Sequence, residues 1–157
     1  QYTHAAIWAI IAEAIMQNRE KAMQLYKMIT PIEHSKTKED ADKYKVEPYV
    51  IAADVYGAKN LAGRGGWTWY TGSSGWYYIA GIEYILGLKI KEGYMSIKPC
   101  IPESWDKFSI RFKFGESIYN INVKNRKTDF EKIKINGEEC ENKIKLDDSG
   151  KIYNIEV

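Results

Sequence analysis

Apolar positions change their period once along the chain. From Thr3 to Asn18, Ala5, Ile7, Trp8, Ile11, Ala12 and Ile15 recur at spacings of three and four, the mark of an amphipathic helix. They occupy much of the circumference, so burial on more than one side is expected. Arg19–Ile29 continues the pattern with Ala22, Met23, Leu25, Tyr26 and Met28 until Pro31 stops it. This predicts a helical pair joined near Gln17–Glu20. His34–Lys45 is polar and reads as a loop with one helical turn in Lys38–Tyr44. Val46–Tyr56 is apolar again, with Pro48 suited to a first helical turn and Gly57 to its end, so another helix is expected there. Gly75–Gly87 supplies a further one.

From Leu88 the period falls to two. Leu88–Ile90, Tyr94–Ile97, Phe108–Phe114 and Ser117–Val123 alternate apolar and polar residues, with turns at Glu92-Gly93 and Gly115-Glu116. Ile133–Ile135, Asn136-Gly137, Ile144–Leu146, Ser149-Gly150 and Ile152–Val157 extend the series, while Pro99, Pro102 and Trp105 mark an irregular crossover. Helices first and strands afterwards imply an α+β chain of two segregated units. The expected division is a helical segment at 1–87 and a C-terminal antiparallel β-sandwich at 88–157.

Composition narrows the function classes. Hydrophobic residues make up 45% and charged residues 28%, with a net charge of +2, a globular balance that excludes disorder. Basic residues are interspersed with acids and form no stripe, so nucleic acid is not an expected partner. Cys100 and Cys140 lie far apart with no CxxC partner, so zinc and thioredoxin-like chemistry are not expected, and free thiols fit a cytoplasmic location. No apolar run reaches membrane-spanning length, so this segment is expected to make no membrane contact. The chain opens on Gln1 and runs straight into an apolar helix, which reads as a piece of a longer polypeptide.

The richest stretch chemically is Leu61–Tyr78, LAGRGGWTWYTGSSGWYY. Its glycines admit positive φ and close backbone approach. Thr71, Gly72, Ser73 and Ser74 precede an apolar helical pattern, and a polar turn opening a helix is a ready anion site. Trp67, Trp69, Tyr70, Trp76 and Tyr77 offer flat faces and donor edges suited to a sugar ring. The stretch therefore reads either as a loop handling an anion beside a carbohydrate or as a tight turn packing two helices. Arg64 is a candidate for phosphate or a carboxylate, or for a salt bridge to Glu47 or Asp54. On a helix, the spacing of seven would put Glu47 and Asp54 on one face. Such a pair suits sugar hydroxyls or ion pairing better than a glycosidase acid/base couple. His4, at a helix start, is either an anion or sugar ligand or simply a hydrogen-bonded surface group. No metal motif or phosphate-binding P-loop is present.

Taken together, QYTHAAIW, PIEHSKTKEDADKYKVEPYVIAADVY, GRGGWTWYTGSSGWYY, GIEYILGLK and IKPCIPESWDKFSIRFKFG resemble the C-terminal part of the inverting glycoside phosphorylases of glycoside hydrolase family 94. The likeness covers residues 1–123 and is nearest the β-1,2-glucan branch, which includes cyclic β-1,2-glucan synthases. It implies that residues 1–87 are the last helices of an (α/α)6 barrel, followed by the β-domain. It further implies phosphorolysis of a β-glucan oligosaccharide by inorganic phosphate, with no cofactor, giving α-glucose 1-phosphate. His4, Thr71 and Gly72 match the family's phosphate ligands, and Gln1 and Glu47 fall near its sugar subsites. Arg64, Trp67 and Trp69 complete the substrate-binding candidates. The family's general-acid Asp has no counterpart here, so no catalytic residue is assigned and the chain alone is expected to be inactive. Its expected partners are the preceding part of its own polypeptide or a second copy. The alternative is a stand-alone carbohydrate-binding or assembly module, including one whose aromatic loop meets another protein.

Overall fold

The structure is a computed structural model that describes residues 1–69, 71–125 and 130–157. It divides into two compact units, Gln1–Ile85 and Leu86–Val157.

In the first unit, helices α1 (Thr3–Ile15) and α2 (Arg19–Met28) form the expected pair. Ile7, Ile10, Ile11 and Ala14 of α1 and Ala22 and Met23 of α2 are buried. A 3₁₀ turn at Glu33–Ser35 leads to α3 (Lys38–Tyr44), capped by the Thr37 hydroxyl, which accepts the Asp40 N–H at 3.1 Å. Lys45, at φ 54°, ends α3 in the left-handed conformation. Helix α4 (Thr71–Ile79) starts four residues before the predicted Gly75, and Ala80–Ile85 continues it as a π-helical segment. Gly81 lies against Tyr26, whose ring stacks on Tyr77 at 4.2 Å. Burial pushes both hydroxyls above their ordinary pKa.

Val46–Tyr56 is not a helix, which corrects the sequence expectation and removes the shared helical face of Glu47 and Asp54. Val50, Ile51, Ala52 and Ala53 are consecutively buried, and a short apolar run of that kind suits a doubly flanked extended segment as well as a buried helix. Here Ala52–Tyr56 forms the middle of a three-part ribbon. On one side Thr3 N–H donates to Ala53 O and Val55 N–H to Gln1 O, each at 2.9 Å. On the other, Gly66 N–H donates to Asp54 O at 2.8 Å and Tyr56 N–H to Arg64 O at 2.9 Å. Tyr44, Val46, Val50 and Ala52 form a small core beneath it.

The second unit holds eight strands among the described residues: β1 (Leu88–Lys91), β2 (Tyr94–Ile97), β3 (Lys107–Phe114), β4 (Ser117–Lys124), β5 (Lys132–Ile135), β6 (Glu138–Glu141), β7 (Ile144–Lys145) and β8 (Ile152–Glu156). They form a three-stranded sheet, β1-β2-β7, and a five-stranded sheet, β3-β4-β8-β5-β6. Glu92-Gly93 and Asn136-Gly137 close their hairpins with positive φ at both residues, as two-residue turns with the strand twist require. One pairing departs from the antiparallel expectation. β8 runs parallel to β4, Ile118 opposite Ile152 and Ile121 opposite Ile155, because the chain makes β5, β6 and β7 before inserting β8 beside β4. Met95, Ile97, Tyr119, Ile121, Val123 and Ile155 are buried, and Cys100 and Cys140 are not joined in a disulfide.

Candidate functional site

The ribbon gathers three distant stretches. Gln1–Thr3 leads directly into α1 and His4, Ala52–Tyr56 follows Glu47, and Arg64–Trp67 runs on toward Trp69 and the start of α4. Thr3 locks the first stretch, because its buried hydroxyl donates to Ala52 O at 2.6 Å. The Gln1 amide donates to Thr3 Oγ1 at 3.4 Å.

His4 and Trp8 lie one helical turn apart on α1, with rings 5.8 Å apart and edge-on. Trp76 of α4 stands 6.1 Å from His4 and 6.3 Å from Trp8. Side chains on a helix lean toward its N-terminus, so Trp76 covers the turn that contains Gly72. Thr71 and Gly72 stand in the first turn of α4, where backbone N–H groups lack intrahelical acceptors and the helix dipole favours an anion. His4 thus faces the α4 residue one turn beyond Gly72. Trp8 was not among the sequence candidates, although its spacing of four from His4 was the available signal.

The two carboxylates have different surroundings. Asp54 accepts the Trp67 N–H at 3.3 Å, and a Cβ on Gly66 would overlap its Oδ1. It braces the ribbon. Glu47 is half-buried and accepts the indole N–H of Trp69 at 3.3 Å. Trp69 has φ 61°, unusual for an aromatic residue, and its ring meets Tyr49 edge-on at 6.4 Å. Trp67 and Trp69 are both exposed. Arg64 is exposed and held through its backbone, its N–H donating to Leu61 O at 2.9 Å. Among the described residues it forms no ion pair with Glu47 or Asp54. Tyr70 lies outside the described residues. Among those described, no cluster of three His, Cys, Asp or Glu side chains is arranged to hold a metal ion, and no helix is long and apolar enough to cross a membrane.

Residues 1–87, which supply all of these groups, match the family model of the glycosyl hydrolase 94 superfamily catalytic domain. The chain belongs to the glycosyl hydrolase 94 superfamily. Residues 88–149 match the C-terminal domain of glycosyl hydrolase family 65. Among superfamily relatives, the cyclic beta-(1,2)-glucan synthase NdvB of Rhizobium meliloti (strain 1021) is 46% identical over 123 residues, covering 78% of this chain and 4% of that protein. The N,N'-diacetylchitobiose phosphorylase of Vibrio proteolyticus is 31% identical over 79% of this chain and 15% of its own length. The solabiose phosphorylase of Paenibacillus borealis is 27% identical over 88% of the chain and 18% of its own length. The chain therefore spans less than a fifth of each of these relatives.

Proposed function

We propose that this chain is part of a β-glucan-active inverting glycoside phosphorylase and forms the phosphate side and one sugar wall of its active site. The observation that carries this reading is the start of α4 at Thr71, with His4 set against Trp76 one turn away. His4 and the Thr71 hydroxyl donate to phosphate oxygens, and the Gly72 N–H adds a third donor at the positive end of the helix dipole. These contacts hold the phosphate as nucleophile. One of its oxygens bonds to the anomeric carbon, the glycosidic bond breaks, and the leaving oxygen takes a proton from a general acid. The product is α-glucose 1-phosphate, with inversion. Phosphate replaces the attacking water of an inverting hydrolase, so a single acid is enough. That acid, an Asp, is supplied by polypeptide outside these 157 residues. Gln1, Glu47, Arg64, Trp67 and Trp69 contact sugar hydroxyls and ring faces. No cofactor takes part.

The test is phosphate-dependent release of glucose 1-phosphate from a β-1,2-glucan by the whole polypeptide. Removing one hydrogen-bond donor to a charged ligand weakens binding by about 1.5–3 kcal/mol, so His4→Ala and Thr71→Val are expected to raise the KM for phosphate at least tenfold. The 157-residue chain alone is expected to release none. Turnover by the chain alone, or His4→Ala and Thr71→Val leaving the phosphate KM unchanged, overturns the reading. Exposed Trp67 and Trp69 favour one other reading, a carbohydrate-binding module without chemistry. It predicts glucan affinity indifferent to phosphate and no glucose 1-phosphate from any form of the polypeptide.

A further inference from the structure

Tyr49 and Trp69 are 76% and 67% exposed and meet edge-on at 6.4 Å, and the Trp69 indole is tied to one carboxylate, Glu47. Sequence reasoning gave Tyr49 no role. Residue 69 adopts a backbone conformation that disfavours any side chain, φ 61°, and the indole it presents is tied by its N–H to Glu47 Oε1 at 3.3 Å. A strained backbone that holds a large apolar ring out in solvent gains nothing in core burial. Glu47 Oε2 has no hydrogen-bond partner among the described residues and so can accept hydroxyls. A flat aromatic corner beside an available carboxylate has the chemistry of a pyranose site, with C–H faces against rings and vicinal hydroxyls on the carboxylate. Its position fits as well. Trp69 lies two residues, at most about 7 Å of chain, from Thr71, where the anion site begins.

We infer that Tyr49 and Trp69, the latter braced by Glu47, form the aromatic corner that receives a glucopyranose ring beside the phosphate, and that Tyr49 sets affinity for this sugar through its ring face. The inference rests on the phosphorylase reading for the phosphate, but its sugar arm can be tested separately. The first experiment titrates the chain and the whole polypeptide with a β-1,2-linked glucose disaccharide, following tryptophan emission. The second measures the KM for disaccharide and for phosphate in the whole polypeptide. Tyr49→Ala is expected to weaken disaccharide binding, and to raise its KM, about tenfold, with the phosphate KM unchanged. Tyr49→Phe keeps the ring face and is expected to stay within about twofold of wild type. Glu47→Gln is expected to weaken the sugar without moving the phosphate KM.

The inference is overturned if Tyr49→Ala binds like wild type or Tyr49→Phe falls as far as Tyr49→Ala. It is equally overturned if both KM values rise together, which would mark a structural role. Absence of any disaccharide response in the whole polypeptide overturns it too, and assigns the corner to protein packing. If the disaccharide binds and depends on Tyr49 while no glucose 1-phosphate forms, the corner stands and the phosphorylase reading falls.

Discussion

Gly65 is the point at which the ribbon rests on its core. Its N–H donates to Tyr44 O at 2.8 Å, and a Cβ there would overlap Val46 Cγ2, with Tyr44 and Ala52 side-chain carbons at 3.3 and 3.4 Å. The residue is buried and its φ is not positive, so the backbone itself tolerates alanine. Without the overlap, Gly65→Ala would stabilise by about 0.4–1 kcal/mol through the unfolded chain. Overpacking of a close-packed core costs about 1–3 kcal/mol, so net destabilisation of about 1–2 kcal/mol is expected. Val46→Ala alone removes two methyl groups and costs about 2 kcal/mol in transfer and cavity terms. In the double variant, however, the new methyl occupies the space that Val46 vacates. Its destabilisation should fall short of the sum of the singles by about 1–2 kcal/mol. Urea unfolding followed by tryptophan fluorescence is a suitable assay, because Trp8, Trp67, Trp69 and Trp76 are four of the five tryptophans and all lie in the first unit. Additivity within about 0.5 kcal/mol would refute the close approach as the reason for glycine.

Gly75 in α4 has open space where a methyl would stand, so Gly75→Ala is expected to raise stability by about 0.5–1 kcal/mol in the same assay. Gly87 and Gly93 both have positive φ, but a Cβ on Gly87 would meet the Lys98 carbonyl whereas Gly93 faces open space. Gly93→Ala should therefore cost about 1–2 kcal/mol, the strain alone, and Gly87→Ala measurably more, by circular-dichroism melts. Asp147 accepts hydrogen bonds from Tyr153, Ser149 and Ser117, and chiefly the Tyr153 hydroxyl holds its pKa at about 2 instead of 3.8. A depressed carboxylate contributes its full stability above the unfolded value and loses it as pH falls toward the folded one. The urea midpoint of the second unit should decline between pH 4 and 2 through this group, and Asp147→Asn should flatten that decline.

Local rules made the hairpins and the first helices legible. Asn136-Gly137 and Glu92-Gly93 put glycine at one of the two positive-φ positions of a tight turn, and the alternation in Ser117–Lys124 is the observed burial pattern of β4. In α1 the helix itself was legible, but of the expected apolar set only Ile7 and Ile11 are buried, joined by Ile10 and Ala14. Ala5, Trp8, Ala12 and Ile15 are exposed, so the expected burial on more than one side is not met among the described residues. Val46–Tyr56 misleads because its burial comes from partners at Gln1–Thr3 and Arg64–Trp67, distant in sequence, and no local period encodes them. The same holds for the parallel entry of β8 beside β4, which depends on where the chain has already laid β5 to β7. Positive φ at Trp69 had no signal either, since nothing in an aromatic side chain announces it. The anion contact proposed at Thr71 and Gly72 could be reasoned from the sequence because a helix start carries its own donors. The Tyr49–Trp69 corner was not, because it exists only once the ribbon has folded.

Glu47 and Asp54 show why that distinction matters for function. In sequence they are equivalent carboxylates in one apolar run, and a helix would have presented them together. The ribbon instead separates their roles. Asp54 sits in the central stretch, where the Gly66 and Trp67 backbone closes over it and its Oδ1 is taken by an N–H. Glu47 lies before that stretch, beyond the reach of the ladder, and meets only the rim of an indole. A carboxylate that serves backbone geometry cannot also move with a substrate, whereas one anchored through a single oxygen is oriented and still has acceptor capacity. The glycine pair Gly65-Gly66 enforces the separation. Gly65 lets the third stretch lie against the core, and Gly66 leaves room for the Asp54 side chain. The glycines that look like loop flexibility in the sequence thus decide, by close packing, which acid braces the ribbon and which stays beside the Tyr49–Trp69 corner.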